Sequence, residues 1–112
     1  MQRFEYRCPR YPVDLPVLLI LKDESVSGRC MEISSEGMKV EFPQPVAQNC
    51  CGTLRIGHSG YFLEVRARIT RTGPGSNGLE FLFGSEKERK ALQRLVALTA
   101  APSGLPGPVL VR

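Results

Sequence analysis

The sequence predicts an all-β, mainly antiparallel domain, in which about six strands close into a barrel and one C-terminal α-helix follows. Three observations support this prediction. Short apolar stretches alternate with polar residues, which is the period of half-buried strands. Clusters of glycine, proline and serine separate these stretches, as turns do. In a domain of 112 residues, closing the sheet removes its exposed edges, and one helix can cover an open end.

The size and composition of the chain indicate one ordinary globular domain. Its 112 residues are 42% hydrophobic and 23% charged, which suits a single buried core and not a disordered chain. The net charge of +4 and the pI of about 9.1 are compatible with an anionic partner. The basic excess is too small and too scattered to indicate duplex nucleic acid, and it is also explained by solubility.

The sequence predicts neither a membrane segment nor a secretory signal. No run of about 18 apolar residues is present, and the longest apolar run, residues 16–21, has the length of a strand. The first six residues lack the apolar stretch of a signal peptide. We therefore expect a cytoplasmic protein without membrane insertion.

The four cysteines do not have the spacing of a metal site. Cys8, Cys30, Cys50 and Cys51 form no C-x-x-C pair, and His58 is the only histidine, whereas zinc needs a tetrahedral ligand set. In a cytoplasmic protein we expect these thiols to be reduced. No metal and no cofactor is expected.

The chain is expected to begin with a flexible basic arm over residues 1–12. The charges of this arm have no helical or strand period, and Pro9 and Pro12 favour extended backbone. The first strand then covers residues 13–21, and Pro16 within it suggests an edge position or an irregular start.

Five further strands follow from the alternating pattern, and most are bounded by turn residues. They cover residues 28–33, 38–42, 52–56, 61–72 and 79–83. The turn at residues 73–78 predicts that the last two strands form an antiparallel hairpin. The side chains expected to face the core are Met38, Val40, Phe42, Leu63, Val65, Ala67, Ile69, Leu79, Phe81 and Phe83.

One helix is predicted near the C-terminus. Ser85 and Glu88 match a capping box, in which the serine accepts a hydrogen bond from the glutamate amide and the glutamate reaches back. Leu92, Leu95, Val96 and Thr99 then fall on one face. The domain is therefore expected to span residues 13–99, followed by a flexible proline- and glycine-rich tail at residues 100–112.

Catalysis is not predicted. Acid–base chemistry needs a histidine or paired carboxylates in a pocket, and a serine or cysteine nucleophile needs a nearby base. The single histidine, His58, lies in a Gly-Ser turn. No glycine-rich loop leads from a strand into a helix, which excludes a P-loop. We expect no catalytic residues.

Two segments predict binding instead. In the arm, Arg7 and Arg10 carry guanidinium groups that suit phosphate oxygens and guanine edges. In the turn at residues 32–37, Glu32 can accept hydrogen bonds from the N1–H and N2 amine of guanine, and Ser34 and the Gly37 backbone can hold a polar edge. The alternative from these residues alone is that the arginines and Glu32 are solvated surface charges.

The sequence resembles the PilZ domain family, bacterial receptor modules for cyclic di-GMP, over nearly residues 3–99. The resemblance is carried by the arm that runs into P-R-Y-P-V-D-L-P-V at residues 9–17, by the turn at residues 32–37, and by N-G-L-E-F-L-F at residues 77–83. Family members have an R-x-x-x-R pattern in the arm and a D/N-x-S-x-x-G pattern in the turn. The resemblance implies a six-stranded barrel that holds cyclic di-GMP on its outer surface.

The resemblance also implies which residues contact the ligand. Arg10 matches the final arginine of the arm pattern, Arg7 an additional arginine, and Tyr6 stands where the first arginine is usual. Ser34 and Gly37 match the turn pattern, and Glu32 replaces its Asp or Asn. Arg3 and Arg7 also satisfy R-x-x-x-R, three residues farther from the barrel. The implied cyclic di-GMP contacts are Arg7, Arg10, Glu32, Ser34 and Gly37, with Tyr6 and Arg3 as accessory residues.

The expected function is a low-affinity cyclic di-GMP receptor that relays the level of this second messenger to a protein effector. The alternative is a ligand-independent adaptor in motility, pilus or exopolysaccharide machinery. A third candidate, a single-stranded nucleic-acid barrel, usually shows exposed aromatic platforms. Here Phe42, Phe81 and Phe83 are expected to face inward, which counts against it.

Overall fold

The computed structural model describes residues 9–100, without the side chains of Tyr61 and Ala100. Its elements are β1 (Tyr11–Ile20), β2 (Ser25–Ile33), β3 (Gly37–Glu41), β4 (Cys51–His58), β5 (Tyr61–Arg71), β6 (Asn77–Leu82) and α1 (Glu86–Ala100). The strands close into a barrel in the order β1-β2-β3-β6-β5-β4, and every neighbouring pair is antiparallel. The predicted fold class and the hairpin of the last two strands are confirmed.

Several strands are longer than their apolar patterns predict, because backbone pairing continues past the apolar residues. β2 begins at Ser25, three residues before the predicted start, because the β1–β2 hairpin pairs Ile20 with Ser25. The Leu21 amide donates to the Glu24 carbonyl at 2.8 Å and closes this hairpin. β1 likewise begins at Tyr11, which pairs with Ile33.

Pro16 does not lie on a sheet edge, because the barrel is closed. It pairs with Arg29 of β2, and the pairing of β1 with β4 begins one residue later, at Val17. The β1–β2 register also shifts between Pro12 and Leu15. Of the two predicted roles of this proline, the edge position is wrong and the irregular start is confirmed.

The barrel interior forms one hydrophobic core with the inner face of α1. Most of the predicted inward side chains are buried, while Phe42, Leu63 and Phe83 are only partly buried against the core. The buried predicted positions are Met38, Val40, Val65, Ala67, Ile69, Leu79 and Phe81. The loop after β3 is fastened to β5, where Ile69 accepts a hydrogen bond from Asn49 at 2.7 Å and donates one to Cys50 at 2.9 Å.

α1 packs on the barrel through Leu92, Leu95 and Val96, which belong to the core, and it contacts β1 and β5. The Glu88 amide donates to Ser85 Oγ at 3.2 Å, as predicted. The Glu88 carboxylate, however, accepts from the Gly84 amide at 2.7 Å, one residue before the position that a capping box requires.

Within residues 9–100, no helix is long and apolar enough to cross a membrane.

Candidate functional site

The turn between β2 and β3 is built by Ser34. Its Oγ accepts hydrogen bonds from the amides of Glu36 at 3.1 Å and Gly37 at 3.2 Å and donates to the Gly37 carbonyl at 3.3 Å. The Ser34 amide donates to the same carbonyl at 2.9 Å. A hydroxyl has one donor and two acceptor lone pairs, so this side chain, 8% exposed, uses its capacity inside the turn. The geometry makes Ser34 a residue that shapes the site.

Gly37 allows the turn to approach β6. A Cβ at this position would run into the backbone carbonyl oxygen of Leu79. The Glu36 carbonyl accepts a hydrogen bond from the Phe81 amide at 2.9 Å and so ties the turn to the same strand. Gly37 does not have a positive φ, so the requirement for glycine comes from this close approach and not from the backbone conformation.

The turn lies beside an arginine–carboxylate pair. Arg10 directly precedes β1, and the β1–β2 register pairs Tyr11 with Ile33 and Pro12 with Glu32. Consequently Arg10 Nη1 lies 3.8 Å from Glu32 Oε1, with the two side chains 55% and 35% exposed. An exposed pair at this distance contributes little to stability. The pair does bring Arg10, a described residue of the arm, next to the Glu32 carboxylate. A ligand that contacts both the arm and the turn needs this proximity.

A buried thiol contacts the backbone of Glu32. Cys30 Sγ donates to the Glu32 carbonyl at 3.2 Å, and a register shift between these residues marks a bulge in the β2–β3 pairing. Burial raises the pKa of Cys30 to about 12, which keeps the thiol neutral. No motif of the sequence places Cys30 near the site, and the alternation of β2 is the signal of its burial.

Lys39 is a second neighbour of Glu32 that the sequence analysis did not single out. The β2–β3 register places it directly opposite Glu32. Only the pairing between strands reveals this proximity, because seven positions of sequence separate the two residues. The site therefore has basic residues on both sides of its carboxylate.

The remaining predicted residues lie elsewhere. Arg7, Tyr6 and Arg3 fall outside the described residues. His58 ends β4, and its Nε2 lies 3.3 Å from Ser59 Oγ, at the turn into β5. Within residues 9–100, no group of histidine, cysteine and acidic side chains could hold a metal ion. The described cysteines, which are Cys30, Cys50 and Cys51, are free thiols.

A cleft of about 1140 Å³ lies on another part of the barrel surface. Its walls include Phe62, Gly57, Pro16 and Arg29, which occupy neighbouring strands in the order β5-β4-β1-β2. Phe62 is 56% exposed. The cleft shares no residue with the predicted ligand contacts.

The closed six-stranded barrel, with a C-terminal helix and a preformed turn beside an arginine, defines a small all-β domain with a candidate site on its surface. The PilZ domain family model matches residues 2–98, and the chain belongs to this family. The chain is similar to the crystal structure of the PilZ domain of CeSA from a cellulose-synthesizing bacterium, with 24% identity and a TM-score of 0.68 over 79% of this chain and 94% of that one.

A second solved structure, an uncharacterized protein from Legionella, is 21% identical with a TM-score of 0.54, over 73% of this chain and 83% of that one. At these identities the two structures support the fold alone. A search of the curated proteins finds no match to the chain.

Proposed function

We propose that this PilZ domain is a non-enzymatic, cytoplasmic receptor for cyclic di-GMP that relays the ligand to a protein effector. PilZ domains in general are adaptors that bind this dinucleotide. The observation that carries the proposal is the position of Arg10 and Glu32, which lie side by side next to the preformed turn. Both side chains are partly exposed, so a ligand can reach them.

The roles follow from the chemistry of the two groups. The Glu32 carboxylate accepts hydrogen bonds from the N1–H and N2 amine of one guanine. Arg10 donates its guanidinium fork to a phosphate or to the O6/N7 edge of guanine. The two side chains form a weak ion pair with each other, at 3.8 Å. A guanine that replaces Arg10 at the carboxylate therefore displaces a contact of small value.

Arg7 supplies the second arginine in this proposal. When Arg7 and Arg10 hold the same ligand, residues 7–10 are fixed against the barrel. This changes the surface that a protein effector meets, and the change is the relay step. Tyr6 occupies the place of a further arginine and loses its charge-assisted contact, although its ring can stack on a guanine.

Isothermal titration with cyclic di-GMP tests the proposal. We expect saturable heat with the wild-type chain and tighter binding with Tyr6→Arg, by about tenfold or more, because one charge-assisted hydrogen bond contributes roughly 1.5–3 kcal/mol. Cyclic di-AMP is the ligand control, since adenine lacks the N1–H and N2 amine that Glu32 would read. Circular dichroism confirms the fold of each sample.

Absence of heat from the folded wild-type chain at high micromolar cyclic di-GMP would contradict the receptor function. The ligand-independent adaptor would then be the remaining function. It predicts that substitution of Arg7 and Arg10 by alanine leaves the binding of a protein effector unchanged.

A further inference from the structure

The strand register places a row of residues side by side on the outer surface of the barrel. Pro12 pairs with Glu32, Glu32 with Lys39, Lys39 with Gly78, and Gly78 with Arg71. The row thus continues from the Glu32 carboxylate across β3 and β6 to β5. Its far end is not part of the site proposed above.

Lys39 and Arg71 both face outward and flank a position without a side chain. Lys39 stands between the buried residues Met38 and Val40, so its own side chain points away from the core. A Cβ built on Gly78 would lie 3.7 Å from Arg71 Cβ and 3.8 Å from Arg71 Nη2. The same Cβ would lie 3.4 Å from Thr70 Oγ1, so the Arg71 side chain and the Thr70 hydroxyl both lie beside the outer face of Gly78.

A bulge in β5 sets the position of Arg71. The β5–β6 register shifts between Ile69 and Arg71, and Thr70 Oγ1 donates to the Gly78 carbonyl at 3.1 Å. Because the extra residue is tied to Gly78, the bulge is fixed, and Arg71 is aligned with the same glycine as Lys39. Bulges commonly redirect a side chain in this way.

Three arginines elsewhere on the barrel each bind a neighbouring carboxylate. Arg29, Arg55 and Arg68 lie within 2.6–2.8 Å of a carboxylate oxygen. Within residues 9–100, neither Lys39 nor Arg71 makes an ion pair. Glu80, the acidic residue two positions after Gly78, already binds Arg68 at 2.8 Å. Among the described residues, the surface around Gly78 therefore carries two cations outside any ion pair, with the Glu32 carboxylate on the strand next to Lys39.

We propose that Lys39, Gly78 and Arg71 form a phosphate-binding subsite that continues the Glu32 site. The two cations lie on strands that are separated only by β6, roughly 10 Å apart by strand spacing, and the residue between them, Gly78, adds no side chain of its own. The assignment of this phosphate to cyclic di-GMP rests on the proposed function. The binding of an anion at Gly78 does not depend on the proposed function.

The first test uses inorganic pyrophosphate and ¹⁵N-labelled protein. We expect saturable amide shifts at Lys39, Gly78 and Arg71 in the wild-type chain, and their loss in Lys39→Gln/Arg71→Gln. The matched control, Lys90→Gln/Arg94→Gln, removes two exposed charges from α1 and should keep the shifts. Shifts absent from the wild type, or unchanged in Lys39→Gln/Arg71→Gln, would overturn the subsite.

The second test uses cyclic di-GMP. We expect Lys39→Gln/Arg71→Gln to weaken binding about tenfold or more relative to the α1 control, because charge-assisted contacts are lost. Equal affinities would overturn the subsite and leave the receptor function standing. If the wild-type chain bound pyrophosphate at Gly78 but not cyclic di-GMP, the receptor function would fail and the anion subsite would stand.

Discussion

The turn at residues 34–37 and the arginine beside it, Arg10, contribute to the site in opposite ways. The turn is held by the Ser34 hydroxyl and tied to β6 by the Glu36 carbonyl, so its shape is part of the fold. Arg10 is 55% exposed, and its ion pair with Glu32 is 3.8 Å long. The difference shows that the barrel itself fixes the geometry of the site, while the positive charge of Arg10 lies on an exposed side chain directly before β1.

If the strand end beside the turn is part of the core, the burial of the Cys30 thiol should make the protein less stable at alkaline pH. Cys30 has a pKa of about 12 in the folded state and an ordinary value of 9.0. Between these values the unfolded chain holds fewer protons than the folded chain, so stability falls as pH rises, by about 2 kcal/mol at pH 10.5 and about 4 kcal/mol at pH 12. Urea unfolding from pH 8 to pH 10.5 measures this loss.

Two variants serve as controls for the alkaline loss of stability. In Cys30→Ala, the free energy of unfolding should fall less steeply with rising pH, because the buried thiol is absent. Cys51→Ala, which removes an exposed cysteine, should keep the wild-type dependence on pH. Equal slopes in wild type and Cys30→Ala would contradict the burial of a neutral thiol beneath Glu32.

A methyl group at Gly37 should disturb both the fold and the site. Because the added Cβ would meet the Leu79 carbonyl oxygen, Gly37→Ala forces a backbone shift, and we expect a loss of about 1–3 kcal/mol in the free energy of unfolding. Gly75→Ala is the matched control, since nothing lies within 4 Å of its Cβ position. Urea unfolding of both variants gives the comparison, and equal stabilities would refute the close approach of the turn to β6.

Arg10→Ala should show the reverse behaviour, with the smallest effect on stability. Its exposed pair with Glu32 contributes little, so we expect a change within about 0.5 kcal/mol in the free energy of unfolding. The affinity for cyclic di-GMP should fall about 10- to 100-fold, because a charge-assisted contact is lost. Arg66→Ala removes an exposed arginine on β5 and should leave binding unchanged. Equal affinities of the two variants would remove Arg10 from the site.

The strands and the helix could be predicted from the sequence because their apolar period is local. The clean alternation of β3 and the Ser85 cap are examples, and both elements exist as predicted. Strand ends could not be predicted as well, because β2 begins at the polar Ser25 through pairing with Ile20.

The contents of the site were only partly predictable. Arg10 and Glu32 could be proposed as neighbours from the family pattern, and the structure places them together. The position of Lys39 and Arg71 around Gly78 depends on strand register and on the bulge before Arg71. No local pattern encodes that register. The role of Ser34 also needed the structure, since a serine in a turn can bind either a ligand or its own backbone.

The central claim is that cyclic di-GMP binds at the turn and the neighbouring arginine, and an NMR titration of ¹⁵N-labelled protein with this ligand tests it most directly. We predict saturable amide shifts at Arg10 and at residues 32–37. Absence of saturable shifts, or shifts confined to the cleft around Phe62, Gly57 and Arg29, would contradict the claim.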